Sequence, residues 1–230
     1  MSIPRTVCFL LIVFQAIAIT ANFAQGTQDE VEFGGGMIGV VALKSPDGAT
    51  FGPREVRQSQ SKNLLAVSTS QGTNLYRVGV EGGVSFFATV PKTPSGYGKQ
   101  PLSLSGDLLV IGRESEAAYV YRIQADNTVK FLANATGATV GQSTAKSPAS
   151  SPGWFARETS LSDDLLAVSE HGEGVVYLYR IAEDGGVAFL SKVKPPSSMT
   201  TVSRFGESIS LSGDLLATTG GNNRTFLYRI

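Results

Sequence analysis

The chain has 230 residues, 42% hydrophobic and 17% charged, which suffices for one or two domains with a sizeable core and excludes a disordered polymer. Basic and acidic side chains number 19 each and basic residues never run beyond a pair, so nucleic acid is excluded as a charge-driven partner.

The chain opens MSIPRTVCFLLIVFQAIAITANFAQG, with Arg5 ahead of the apolar run Val7 to Ile19, then small residues and a polar stretch. That order is a secretory signal peptide, and the run is shorter than the ~20 residues a spanning helix needs. Cleavage is expected after Ala24, with Ala21 the competing site. Removal of residues 1–24 deletes Arg5 and leaves 18 basic against 19 acidic side chains, a net charge of −1. Cys8, the only cysteine, falls inside the signal and precedes the apolar run, which argues against lipid attachment there. The mature chain then has no thiol and must hold together by packing alone. The expected location is secreted, periplasmic or cell-surface, with membrane contact only through the transient signal. Residues 25–33 read as a polar linker and 34–230 as one domain.

From residue 35 the chain reads GGMIGVVALKSP, which aligns without gaps to GGVAFLSKVKPP at Gly185 to Pro196. That likeness is one part of a wider repetition. KNLLAVS at Lys62, GDLLVIG at Gly106, DDLLAVS at Asp163 and GDLLATT at Gly213 share a Leu-Leu pair, and the leading leucines Leu64, Leu108, Leu165 and Leu215 are 44, 57 and 50 residues apart. Each pair is followed by a second phrase: NLYRV at Asn74, YVYRI at Tyr119, YLYRI at Tyr177 and FLYRI at Phe226. A period near 50 residues points to propellers or solenoid arrays.

Within a unit, Ser208, Ser210 and Ser212 alternate with Ile209 and Leu211, the period of a pleated strand, here strand a. The turn Ser212-Gly213-Asp214, SDD in the third unit, reverses the chain into strand b, whose consecutive apolar residues require cover on both faces. The YxYR-like phrase is strand c. A turn such as EGG, ADNT or EDGG then leads to strand d, VSFFATV, VKFLANA or VAFLSKV. The last unit stops at Ile230 after strand c, and residues 35–46 read as the strand d it lacks. The expected fold is therefore an all-β β-propeller of four antiparallel four-stranded blades, closed by the N-terminal strand completing the last blade. Whether four blades form a whole ring or part of a larger one stays open.

The aromatic-glycine pairs Phe51-Gly52, Tyr97-Gly98 and Phe205-Gly206, with the SLSGDLLAV-type core and the VYxYR-like strand, resemble the FG-GAP repeat family, also found in the N-terminal region of integrin α chains. The resemblance spans about residues 34–230 and implies a propeller. The third unit departs with Phe155-Ala156, and no unit keeps Gly-Ala-Pro after strand b. The DxDxDG calcium loops of integrin-like propellers are missing, so neither metal nor cofactor is expected.

Arg77, Arg122, Arg180 and Arg229 recur at the end of strand c, beside the start of strand b at Asn63, Asp107, Asp164 and Asp214. Three structural pairs are expected: Asp107 with Arg122, Asp164 with Arg180, and Asp214 with Arg229. The b–c loops should share one face with the d–a connections. They carry Arg113, Glu114, Glu116, Glu170, His171, Glu173, Asn222, Asn223 and Arg224, a mixed-charge surface suited to a protein or carbohydrate ligand.

His171, the only histidine, reads as part of a solvated loop, since no cysteine or second histidine could join it on a metal. The 18-residue stretch Thr136 to Gly153 reads as a low-complexity insert, disordered or an interaction loop. Asn134-Ala135-Thr136 and Asn223-Arg224-Thr225 match the glycosylation pattern. The glycine run at Gly34 has no strand-to-helix context for a phosphate cradle. Two functions follow from these features: an exported non-catalytic module binding protein or glycan through its loop face, or a propeller hydrolase or lyase using Glu170, Glu173 and His171.

Overall fold

Leu64 to Val67, Leu108 to Ile111 and Leu165 to Val168 are buried without interruption, as expected of strands sandwiched on both faces. In the computed structural model, which describes residues 58–69, 72–79, 83–91, 100–137, 139–141, 154–197, 204–220 and 224–230, each such strand lies inside an antiparallel meander. The expected signal, linker and closing strand 35–46 lie outside the described residues.

The first sheet runs β1 (Gln58–Ser61), β2 (Leu64–Ser68), β3 (Gly72–Val78), β4 (Val84–Pro91). The second runs β5 (Leu102–Ser105), β6 (Leu108–Arg113), β7 (Ala117–Ile123), β8 (Val129–Thr136), β9 (Thr139–Gly141). The third runs β10 (Phe155–Ser162), β11 (Leu165–Glu170), β12 (Val175–Ile181), β13 (Val187–Val193), and the fourth β14 (Ile209–Ser212), β15 (Leu215–Gly220), β16 (Arg224–Arg229).

Consecutive sheets pack face to face. Leu64, Ala66 and Leu75 of the first meet Leu109, Ile111 and Ile123 of the second. Leu108, Val110 and Val120 meet Leu166, Val168 and Tyr179 of the third, and Leu165, Ala167 and Leu178 meet Leu216 and Phe226 of the fourth. The first strands β1, β5, β10 and β14 approach one another in succession more extensively than the outer strands do, so the sheets fan out from their a strands. This is the blade arrangement of a β-propeller.

One expectation needs correction. The second sheet has five strands, because the supposed insert from Thr136 begins as a hairpin: β8 continues through Thr136, and Asn134, Ala135 and Thr136 pair with Gly141, Val140 and Thr139. Among the described residues no hydrophobic cluster joins the first sheet to the fourth, and Leu215 and Leu227 on the far face of the fourth are 43% and 75% exposed.

The a–b turn explains why Gly or a short polar residue recurs before strand b. Ser61–Leu64, Ser105–Leu108, Ser162–Leu165 and Ser212–Leu215 close two-residue hairpins. The first turn residue is left-handed in each, with φ of 51° at Lys62, 59° at Gly106, 50° at Asp163 and 57° at Gly213. The second turn residue then accepts a backbone hydrogen bond from the far end of strand c: Val78 to Asn63, Ile123 to Asp107, Ile181 to Asp164 and Ile230 to Asp214, all at 2.8 Å.

The alternating serines of strand a have a role that periodicity alone does not show. Strand a is the inner edge of its sheet, with outward N–H groups that no neighbouring strand accepts. The serines of the preceding sheet accept them. Leu104 N–H donates to Ser59 Oγ and Gly106 N–H to Ser61 Oγ, both at 2.9 Å, and Asp163 N–H donates to Ser105 Oγ at 2.8 Å. Leu211 N–H donates to Ser160 Oγ at 2.9 Å and Gly213 N–H to Ser162 Oγ at 3.0 Å.

Candidate functional site

Two of the b–c loops meet the d–a connections, those of the second and third sheets touching the entry of the sheet that follows. Ser115 N–H donates to the Phe155 carbonyl at 2.9 Å. His171 Nε2 lies 2.9 Å from the Gly206 carbonyl and must carry the proton, since a carbonyl only accepts. The half-buried His171 is thus a bridge between sheets and not the solvated side chain expected. Burial pushes its pKa below the ordinary value, against the opposing pull of the Gly206 carbonyl.

The backbone at these entries follows one pattern. Trp154 and Arg204 have φ of 65° and 60°, a buried phenylalanine follows each, and Ala156 and Gly206 have φ of 57° and 84°. The third unit therefore departs from Phe-Gly in residue type while keeping the left-handed backbone. At Gly206 a Cβ would lie 3.1 Å from that of Ser169, which adds crowding to the dihedral requirement.

The expected loop residues divide by burial. Arg113 and Glu116 are each only 6% exposed. Glu116 accepts a 2.6 Å hydrogen bond from Tyr119, and Arg113 lies over the Tyr119 ring, 5.1 Å from its centroid, with Nη1 3.9 Å from Glu116. Burial and the Glu116 carboxylate both push the Tyr119 hydroxyl up. Glu170 is 2% exposed. These three belong to the interior and not to a ligand surface, because each terminates or closely follows a b strand covered on both faces. Asn134 is buried in β8 and not presented for glycosylation. Asn222 and Asn223 lie outside the described residues, and Arg224 is exposed at the start of β16.

What remains accessible is a smaller group. Glu114 pairs with Arg157 at 3.2 Å, and Arg157 lies under the Trp154 ring, 5.3 Å from its centroid. Trp154, the only tryptophan, is 55% exposed. Glu173 pairs with Lys192 at 2.6 Å, and Lys192 stands 4.7 Å from the centre of the Tyr177 ring. The Lys192 hydrogen bond holds the Glu173 carboxyl below its usual range, and Glu173 in turn raises Lys192. Sequence reading missed Trp154, Arg157 and Lys192. The signal available for Trp154 was an aromatic placed just ahead of a buried phenylalanine at a sheet entry, where Arg204 stands in the next unit.

On the opposite face, Arg122 lies 3.3 Å from Asp107, Arg180 2.9 Å from Asp164 and Arg229 3.5 Å from Asp214. Two of the recurrent arginines also reach the next sheet. Arg77 donates to Asn127 Oδ1 at 2.7 Å, while Arg122 donates to the Ala182 carbonyl at 3.2 Å and to that of Glu183. Among the described residues, no three His, Cys, Asp or Glu side chains gather as a metal-binding group.

No family model matches the chain, and no curated protein matches it. Among solved structures, a protein from Lactobacillus plantarum matches with a TM-score of 0.56 and 17% identity, over 83% of this chain and 57% of its own. The computationally designed Ika4 protein matches with a TM-score of 0.49 and 11% identity, over 78% of this chain and 94% of its own. The WD40 β-propeller domain of Doa1 matches with 0.48 and 11%, over 79% and 53%. The chain thus spans little more than half of the Lactobacillus and Doa1 chains. At such identities the likeness speaks to fold alone.

Proposed function

We propose that this protein is an exported, non-catalytic interaction module, a β-propeller of the FG-GAP kind that binds a protein or glycan through its loop face. In this reading, residues 1–24 are removed on export and residues 35–46 supply the outer strand of the last blade. The observation that carries it is Trp154, a large aromatic left exposed and braced from one side by Arg157, itself held by Glu114. A ring with one open face and fixed polar neighbours is the combination that stacks on a sugar or anchors a protein contact.

The hydrolase or lyase reading draws less support. Glu170 is buried beside the Tyr177 hydroxyl, Glu173 is paired with Lys192, and the His171 Nε2 proton is committed to Gly206, so each of the three is already engaged within the fold. The test is direct binding of the purified protein to a glycan array and to extracellular proteins of its source, repeated with Trp154→Ala and Arg157→Ala. Loss of binding with an unchanged unfolding midpoint supports the reading, and binding that survives both substitutions removes it.

A further inference from the structure

We propose that the loop end of the third sheet takes a short, uncharged oligosaccharide, one sugar of which stacks on Trp154 while a neighbouring sugar bonds to the Glu173–Lys192 pair. The inference rests on the loop-face reading above and narrows its ligand to one class. The fold does not call for an indole at this position, because Arg204 holds the equivalent left-handed backbone in the next unit, with φ of 60° against 65° at Trp154. What the indole adds is an exposed ring, covered on one side by the Arg157 guanidinium.

Strand register brings the second contact to the same place. Phe155 pairs with Glu170 and Glu170 with Val175, so Trp154 and the loop bearing Glu173 stand at one end of the third sheet. Lys192 lies across from Tyr177 at that end. Strands a and c of a sheet are roughly 10 Å apart, so a ligand touching both the indole and the pair spans more than one sugar. The Glu173 side chain is 53% exposed and that of Lys192 29%. A hydroxyl donates and accepts at once, and an ammonium beside a carboxylate meets both needs.

The surroundings decide between ligand classes. Among the described residues, Trp154 is the one large apolar side chain left exposed at the entry of a sheet, and residues 142–153 ahead of it contain no aromatic, Leu, Ile, Val or Met. A protein anchor works inside an apolar patch that excludes water, whereas a sugar offers one face of C–H groups to a single ring and hydroxyls to the polar groups around it. Charge separates neutral from acidic sugars. Arg157 is held by Glu114 and Lys192 by Glu173, while Glu158 and Glu170 offset Lys194, so this end of the sheet has no net positive field to draw a uronate or sulfate.

Trp154 is the only tryptophan, so the protein's indole fluorescence reports this place alone. The purified protein is titrated with cellotriose, mannotriose and chitotriose, and with trigalacturonate as the acidic counterpart. At least one neutral trisaccharide is expected to shift the emission to the blue with saturation, and trigalacturonate to leave it unmoved. Glu173→Ala, with unchanged circular dichroism, should raise the half-saturating concentration about tenfold. The inference is overturned if no neutral trisaccharide moves the emission, if trigalacturonate moves it equally, or if Glu173→Ala binds as wild type does. A protein partner that is lost with Trp154→Ala, while no sugar moves the emission, overturns this inference and leaves the loop-face reading standing. Absence of any partner for the loop face removes both.

Discussion

Gly213 N–H donates to Ser162 Oγ at 3.0 Å, although the two residues belong to different sheets and lie 51 positions apart. Ser61 and Gly106 stand in the same relation at 2.9 Å. Each contact satisfies an edge N–H that antiparallel pairing leaves over. Removing one hydroxyl by Ser61→Ala is expected to cost about 1 kcal/mol. Urea unfolding should register it as a lower midpoint at unchanged slope, whereas Ser85→Ala, at an exposed outer-strand position, should move the midpoint by a few tenths of a kcal/mol at most.

The recurrent arginines should differ in weight. Arg180→Ala removes one exposed pair with Asp164, a contribution of about 0 to 1 kcal/mol that fades with added salt. Arg122→Ala also removes donation to the Ala182 and Glu183 carbonyls of the next sheet, so its loss should be about 1 kcal/mol larger and less sensitive to salt. Paired unfolding curves at low and high ionic strength check the order.

At the first a–b turn, Lys62 occupies a left-handed position that Gly106 and Gly213 fill without strain. Adding a Cβ at either glycine would meet nothing within 4 Å, so the dihedral and not crowding selects glycine there. Lys62→Gly relieves about 1 kcal/mol of backbone strain and loses somewhat less to unfolded-state entropy. A net gain of about 0.5 kcal/mol is expected. Asp163→Gly should gain less, because aspartate tolerates this conformation. Thermal unfolding of the two variants side by side distinguishes them.

Gly112 is fixed by crowding. A Cβ there would lie 2.5 Å from the Pro101 ring and 2.8 Å from the Ala156 carbonyl. Gly112→Ala must displace the backbone where the second and third sheets meet, at a cost of about 2 kcal/mol. An unchanged unfolding midpoint would contradict this packing.

His171 supplies a pH dependence. Its folded pKa is depressed by burial below the unfolded value of about 6.5. Above that value both states are neutral and the fold has its full stability. As the pH falls from about 6.5 toward the folded pKa, the unfolded chain binds the proton first and stability declines. Below the folded pKa the loss is complete. Unfolding free energies between pH 7.5 and about 5 should fall in wild type and flatten in His171→Asn.

The blades were legible because their signals are local and recur. Leu-Leu pairs marked the inner strands, and the Gly or Asp before them marked hairpins that the φ values at Gly106, Asp163 and Gly213 explain. The fate of Arg113, Glu116 and Glu170 was less legible. Charge in a loop phrase suggests solvent, and only the cover supplied by an adjacent blade shows these side chains buried. Likewise β9 lay in a stretch poor in large apolar residues, and its pairing to β8 depends on a turn near Gly137, with φ of 63°, more than on periodicity. Trp154 was passed over because repeat reading favours what recurs, and it occurs once.

The serine contacts also give the assembly a grammar that is vectorial. Each module accepts hydrogen bonds on the side toward its successor and donates amide N–H groups toward its predecessor, so a junction takes its character from two neighbours and not from position along the polypeptide. Excising or duplicating a whole module would therefore leave the surviving junctions chemically unaltered, and the molecule's length is free to vary in increments of one blade while its inner wall keeps the same hydroxyl-lined texture.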